Sequence, residues 1–274
     1  MSLRYAICNE TFAGWNHARV CDFVAATGYT GLEIAPFTLA PRITDVSAEQ
    51  RRELRRTAEA AGLTIVGLHW LLAKTEGFHV TSADPTVRQA TGAYLGELAR
   101  ACRDLGGDIL VFGSPLQRKI APGITRQQAD DYAIDTLQHV LPILDETGVR
   151  LGLEPLAPAE TNFLNTCAEA IALADRIGQP KINLHLDVKA MASEATPTPA
   201  LIRQHIGRTL HFHANDANGR GPGFGATDFG LIMKALTQTG YKGWVSVEVF
   251  DYTPDPETIA LESLRHLREC EAAS

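Results

Sequence analysis

The chain has 274 residues, 45% of them hydrophobic and 21% charged, and carries a net charge of −7. That length admits one or two domains and a sizeable buried core. The acidic balance, with no run of Lys or Arg, speaks against a nucleic-acid partner, because duplex affinity comes largely from neutralised phosphates.

Eight short apolar runs, each followed by a stretch with helical spacing, succeed one another along the chain. The first, Tyr5–Asn9, lies in an opening, MSLRYAICNE, that lacks the apolar run of a signal peptide. The others are Gly31–Ala35, Thr64–His69, Ile109–Gly113, Arg150–Glu154, Ile182–Asp187, Leu210–Asn215 and Trp244–Phe250. Several are continuous apolar runs, such as ILVF at 109–112, as expected of strands covered on both faces. Between them, Ser47 with Gln50, Thr125 with Gln128 and Thr166 with Glu169 have capping-box spacing. Asp84–Pro85, Thr198–Pro199 and Asp255–Pro256 read as N-caps followed by proline at the first helical position. Gly28, Gly62, Gly106, Gly148, Gly178, Gly207 and Gly240 close the helical stretches, where a left-handed residue is common.

Strict alternation of strand and helix means a parallel sheet with right-handed crossovers. An open doubly wound sheet would usually carry a Gly-rich loop after its first strand. Here that turn reads NETFAGWN. Polar residues stand instead at the C-terminal ends of many strands: Asn9, Glu10, Glu33, His69, Ser114, Glu154, Asp187, His213 and Glu248. Such a ring is the barrel pattern, with the site on the C-terminal face. The expected fold is therefore α/β, one (β/α)8 TIM barrel with parallel strands and outer helices, forming a single domain over residues 1–274. No stretch approaches the roughly 20 apolar residues of a membrane span, so no membrane partner is expected. The five cysteines, Cys8, Cys21, Cys102, Cys167 and Cys270, include no C-x-x-C pair. They read as thiols of a reducing cytoplasm, the expected location.

Four strand ends carry chemistry: LGLEP at 151–155, LHLDV at 184–188, HFHAND at 211–216 and VSVEVF at 245–250. Each sets Glu154, Asp187, His213 or Glu248 at the end of an apolar strand. A lone carboxylate is costly to bury, and three converging ones repel each other. One divalent cation removes both problems. Three carboxylates and an imidazole with vacant positions suit Mn²⁺, Mg²⁺, Co²⁺ or Zn²⁺. His185 and His211 lie two residues before ligands, so they share the interior face at greater depth and are expected to pack or to orient ligands. His69 and Glu33, at the ends of strands three and two, are candidate substrate contacts. Phe12, Trp15 and Phe37 are candidate pocket walls. GRGPGFG at 219–225 lacks the Lys-Ser/Thr of a phosphate loop and reads as a loop over the site.

These motifs, and EPLAPAETNFLNT at 154–166 above all, resemble the xylose-isomerase-like TIM-barrel superfamily, in its branch of D-tagatose 3-epimerase and inosose isomerase. The resemblance implies that Glu154, Asp187, His213 and Glu248 are metal ligands, with Mn²⁺ the first choice. It implies that Glu154 and Glu248 are also the acid/base pair, and that Glu160 holds substrate hydroxyls. Two carboxylates on opposite sides of a substrate plane can remove a proton from one face and return one to the other through an enediolate. The implied activity is that of a metal-dependent sugar isomerase or epimerase on a small sugar, inosose or related polyhydroxy carbonyl compound, in a homo-oligomer (dimer or tetramer). A dehydratase on the same metal site is the alternative; an endonuclease IV-like repair nuclease and a non-catalytic sugar-binding barrel rank below it. Two positions depart from the branch. Its histidine three residues after the metal-binding aspartate is Ala190, and its arginine six after the metal-binding histidine is Gly219. Lys189 and Arg220 are the candidate replacements as substrate contacts.

Overall fold

The computed structural model describes residues 3–274. Its strands are β1 (Arg4–Cys8), β2 (Gly31–Ile34), β3 (Thr64–Leu68), β4 (Ile109–Phe112), β5 (Arg150–Leu153), β6 (Ile182–Asp187), β7 (Thr209–Ala214) and β8 (Trp244–Val247). They pair in parallel in chain order, and β1 closes on β8 from Arg4↔Trp244 to Ile7↔Val247. The result is a closed (β/α)8 barrel. Each strand core is buried on both faces; all four residues of β4 are buried, for example. One face packs on the helices and the other fills the barrel, where Ala6, Val66, Ile109 and Val111 make a small cluster apart from the main core.

Local chemistry sets the helix ends. Ser47 and Thr125 close reciprocal capping boxes with Gln50 and Gln128. Thr166 caps the amide of Glu169, but the Glu169 carboxylate accepts from Asn165 N at 2.6 Å, so that box is half formed. Asp84 and Asp255 cap the helices Pro85–Leu105 and Pro256–Ala272. Gly28, Gly106, Gly148 and Gly178 end helices in the left-handed conformation.

Three expectations change. Thr198 is the first residue of the helix Thr198–His205 and not its cap, which is Pro197. Gly207 lies in the 3-10 turn Ile206–Arg208 and lacks a positive φ, because that tight turn leads straight into β7. The last strand is also shorter than predicted, ending at Val247. No helix among the described residues is long and apolar enough to cross a membrane.

Candidate functional site

The barrel register brings four strand ends together. Asp187 and His213 are paired neighbours across β6 and β7. Glu154 and Glu248 each follow the last residue of a strand and still donate their amides to the next ladder, at Phe112 O and Ala214 O, both 3.3 Å away. The donor atoms of Glu154, Asp187, His213 and Glu248 all lie within 4.8 Å of one another, and all four residues are buried.

Packing three carboxylates so closely has electrostatic consequences. Burial, then the charges of Glu248 and Asp187, pushes the Glu154 carboxyl well above the usual carboxylate range. Burial, then Glu248, raises Asp187 to about 6. For Glu248 burial also opposes ionisation, but His213, His69 and the Trp70 indole outweigh it and hold the group low. Burial disfavours a charged His213 as well, yet Glu33 and Glu248 raise it well above an ordinary histidine. A divalent cation would neutralise such a cluster, and the donor set of three oxygens and one nitrogen fits a hard to borderline metal. The backbone leaves room for the Glu154 carboxylate: a Cβ on Gly113, just past β4, would overlap it.

The surrounding shell orients these groups. Asp187 accepts from Ala190 N at 2.7 Å and from the Asn215 side-chain amide. His213 lies between Glu248 and Glu33, 3.1 Å from each. Glu33 is fully buried, and its other oxygen is 2.8 Å from His211 Nε2. Both Glu33 oxygens therefore serve imidazoles beneath the mouth, in place of the substrate contact expected from its strand-end position. Burial opposes the Glu33 charge, but His211 and His213 hold it well below the ordinary range. His185 packs edge-on against His213, ring centroids 4.2 Å apart. His69 is also fully buried, with Nε2 2.9 Å from Glu10 and 4.0 Å from Glu248.

Two supporting residues, Arg118 and Trp70, were not legible, and Glu10 was legible only as one polar residue of the strand-end ring. Arg118 is fully buried and donates to Glu154 O and Phe112 O, both at 2.6 Å. Trp70 adopts a φ of 51°, rare for a bulky residue, and its indole N–H donates to Glu248 Oε1 at 2.7 Å. Glu10 sits beside His69. Only an unusual residue type at a strand end could have flagged Trp70; nothing local distinguishes Arg118 from a surface arginine.

At the mouth, Lys189 Nζ is 2.8 Å from Glu160 and 4.9 Å from the centre of the Phe250 ring. Arg220 is turned elsewhere: it donates to Thr253 O at 2.8 Å and tethers the 219–225 loop to the segment after β8. That loop packs on the last helix, where Gly221 and Gly223 leave no room for side chains against Ser263 and His266. Beside the cluster opens a cavity of about 600 Å³ walled by Phe12, Trp15, Phe37, Trp70, Phe250 and Tyr252.

The sequence pattern of the family described as xylose isomerase-like TIM barrel matches residues 21–270. The chain belongs to that family. It is 29% identical to a D-psicose 3-epimerase of Enterocloster bolteae over 88% of this chain and 78% of that protein. It is 34% identical to an L-ribulose 3-epimerase of Mesorhizobium japonicum over 62% and 58%. Among solved structures, a D-psicose 3-epimerase with D-tagatose from Clostridium cellulolyticum H10 superposes with a TM-score of 0.86 at 21% identity, covering 98% of this chain and 99% of that one. A 3-keto-D-glucoside 4-epimerase from E. coli superposes at 0.85 and 18% identity, covering 98% and 100%. These two likenesses establish the fold.

Proposed function

We propose that this family member is a metal-dependent sugar epimerase or isomerase, and that Glu154, Asp187, His213 and Glu248 hold one divalent ion, Mn²⁺ first. The observation that carries this reading is the meeting of two glutamates, an aspartate and an imidazole within 4.8 Å at the barrel mouth. The relatives named as ketose 3-epimerases support the same reaction class.

When bound, the metal supplies Lewis-acid polarisation of a substrate carbonyl and neutralises the crowded carboxylates. The chain's own residues divide the remaining work. Glu248, held ionised by His213 and Trp70, is suited to take the proton beside the carbonyl. Glu154, the other glutamate of the cluster, is suited to return one from the other side. Lys189 and Glu160, joined at the mouth, are placed to meet substrate hydroxyls and fill the role that Ala190 and Gly219 cannot. Arg220 supports the loop and leaves that contact to Lys189. Four of the five free cysteines are buried, consistent with a cytoplasmic location.

The test is exchange of the proton beside the carbonyl with deuterated water, using metal-loaded enzyme and a panel of ketoses, keto acids and inososes. Incorporation that stops in Glu248→Gln and returns no product in Glu154→Gln is expected. Loss of water from the substrate, read by mass spectrometry, would move the protein to the dehydratases. No exchange across the panel would refute the reading.

A further inference from the structure

Resting on that reading, we propose that Glu10 reads the far end of the substrate, accepting hydrogen bonds from hydroxyls remote from the carbonyl, and that the substrate is an unphosphorylated polyol-bearing sugar. Glu10 follows β1, lines the aromatic cavity and is 6% exposed. Its Oε2 is held by His69 Nε2 at 2.9 Å, but its Oε1 has no hydrogen-bond partner among the described residues. A buried acceptor left without a donor is costly, so the position calls for a donor that arrives with a ligand.

The distances suit one sugar. His69 Nε2 stands 2.9 Å from Glu10 and 4.0 Å from Glu248, so the two carboxylates flank one imidazole. They are separated by no more than the span of a short polyol chain, with its carbonyl at Glu248 and its tail at Glu10. The walls match the other half of sugar chemistry. Trp15, Phe37, Trp70 and Phe250 offer faces for C–H groups, while the carboxylate takes the hydroxyls. A phosphate is disfavoured there. It would face the Glu10 carboxylate, and the cavity's lysine, Lys74, is an exposed residue whose Nζ lies over the Phe37 ring at 4.0 Å. The volume of about 600 Å³ also leaves room to spare. Twelve heavy atoms at the roughly 30 Å³ that a water takes in the liquid need about 360 Å³, so an extended or glycosidically substituted sugar fits.

The experiment compares wild type, Glu10→Gln and Glu10→Ala, each checked for equal metal content, in α-proton exchange on a hexulose, its 6-phosphate and the four-carbon ketose erythrulose. We expect Glu10→Ala to lose at least about ten-fold in kcat/KM on the hexulose, chiefly through KM. Erythrulose should stay within two-fold, and Glu10→Gln should fall between. Wild type should prefer the hexulose to its phosphate. Equal loss on long and short ketoses, no loss on either, or a wild-type preference for the phosphate overturns the proposal. Should wild type exchange no ketose, the catalytic reading fails, and quenching of Trp15 and Trp70 fluorescence by a hexitol decides the inference separately. Binding weakened by Glu10→Ala upholds it; binding that is absent or unchanged overturns it.

Discussion

Replacing Arg118 by Met should destabilise the barrel and loosen its metal site together. The guanidinium is sealed from solvent, and its two shortest bonds, both 2.6 Å, end on the backbone carbonyls of Glu154 and Phe112. Hydrogen bonds from a charged donor contribute about 1.5–3 kcal/mol each, which gives about 3–6 kcal/mol for the pair. Phe112 O retains a second partner, Glu154 N at 3.3 Å, so the lower part of that range is expected. In a chain of this size each kcal/mol moves the melting temperature by about 2–4 °C, so a fall of about 10 °C follows. Arg118→Lys should recover part of it, since one ammonium cannot span both carbonyls as the planar fork does. The assay is a calorimetric melt of metal-free protein, paired with a manganese titration. Because Arg118 fixes the backbone from which the Glu154 side chain springs, affinity should drop in step with stability. A melt within about 2 °C of wild type and an unchanged affinity would refute this account of Arg118.

Gly113→Ala should separate stability from binding. The new Cβ displaces the mobile end of Glu154, so metal affinity should fall at least about ten-fold while the melting temperature of the metal-free protein stays close to wild type; a titration showing intact affinity would contradict the steric argument. In the metal-free protein, Asp187 and Glu154 have folded pKa values above their unfolded ones. Their contribution to stability is therefore complete below about pH 4 and lost as pH rises through about 6 for Asp187, with the Glu154 shift acting in the same direction. Added metal should accordingly raise the melting temperature more at pH 7.5 than at pH 5, with protons released on binding near pH 6; a metal shift independent of pH would count against it. Trp70→Phe keeps the ring but removes the donor to Glu248, and should lower kcat by about ten-fold or more with little change in KM, which steady-state kinetics would check.

The barrel was legible because strand and helix signals repeat in step. ILVF at 109–112 cannot serve an amphipathic edge, and the caps at Ser47, Thr125, Asp84 and Asp255 mark where each crossover begins. The strand-end carboxylates of β5, β6 and β8 were legible for the same reason: a charge closing an apolar run has few explanations. What escaped depends on tertiary contacts. Arg118 looks like any loop arginine until the fold wraps it against β4 and β5. Glu33 lies inside β2 whereas Glu154 lies just past β5, so Glu33 opposes His211 and His213 deeper in the barrel, and a residue's place in the sequence pattern does not reveal that depth. Gly207 and Thr198 misled because a 3-10 turn replaces the left-handed glycine, and because the helix starts at Thr198 itself, behind a Pro197 that makes no side-chain cap bond.

The order of the strands around the barrel sorts its labour. Every donor of the four-residue cluster comes from the second half of the chain, β5 to β8, whereas most of the aromatic cavity and Glu10 come from loops of the first half, with Phe250 and Tyr252 reaching across. The four donors and most of the cavity wall are thus written on different halves of the sequence, joined by the bonds from Glu33 and Trp70 to His213 and Glu248. Selection can vary wall residues such as Phe12, Trp15 and Phe37 to suit a new sugar, provided that Glu33, His69, Trp70 and Arg118, which brace the reacting centre from the first half, are kept.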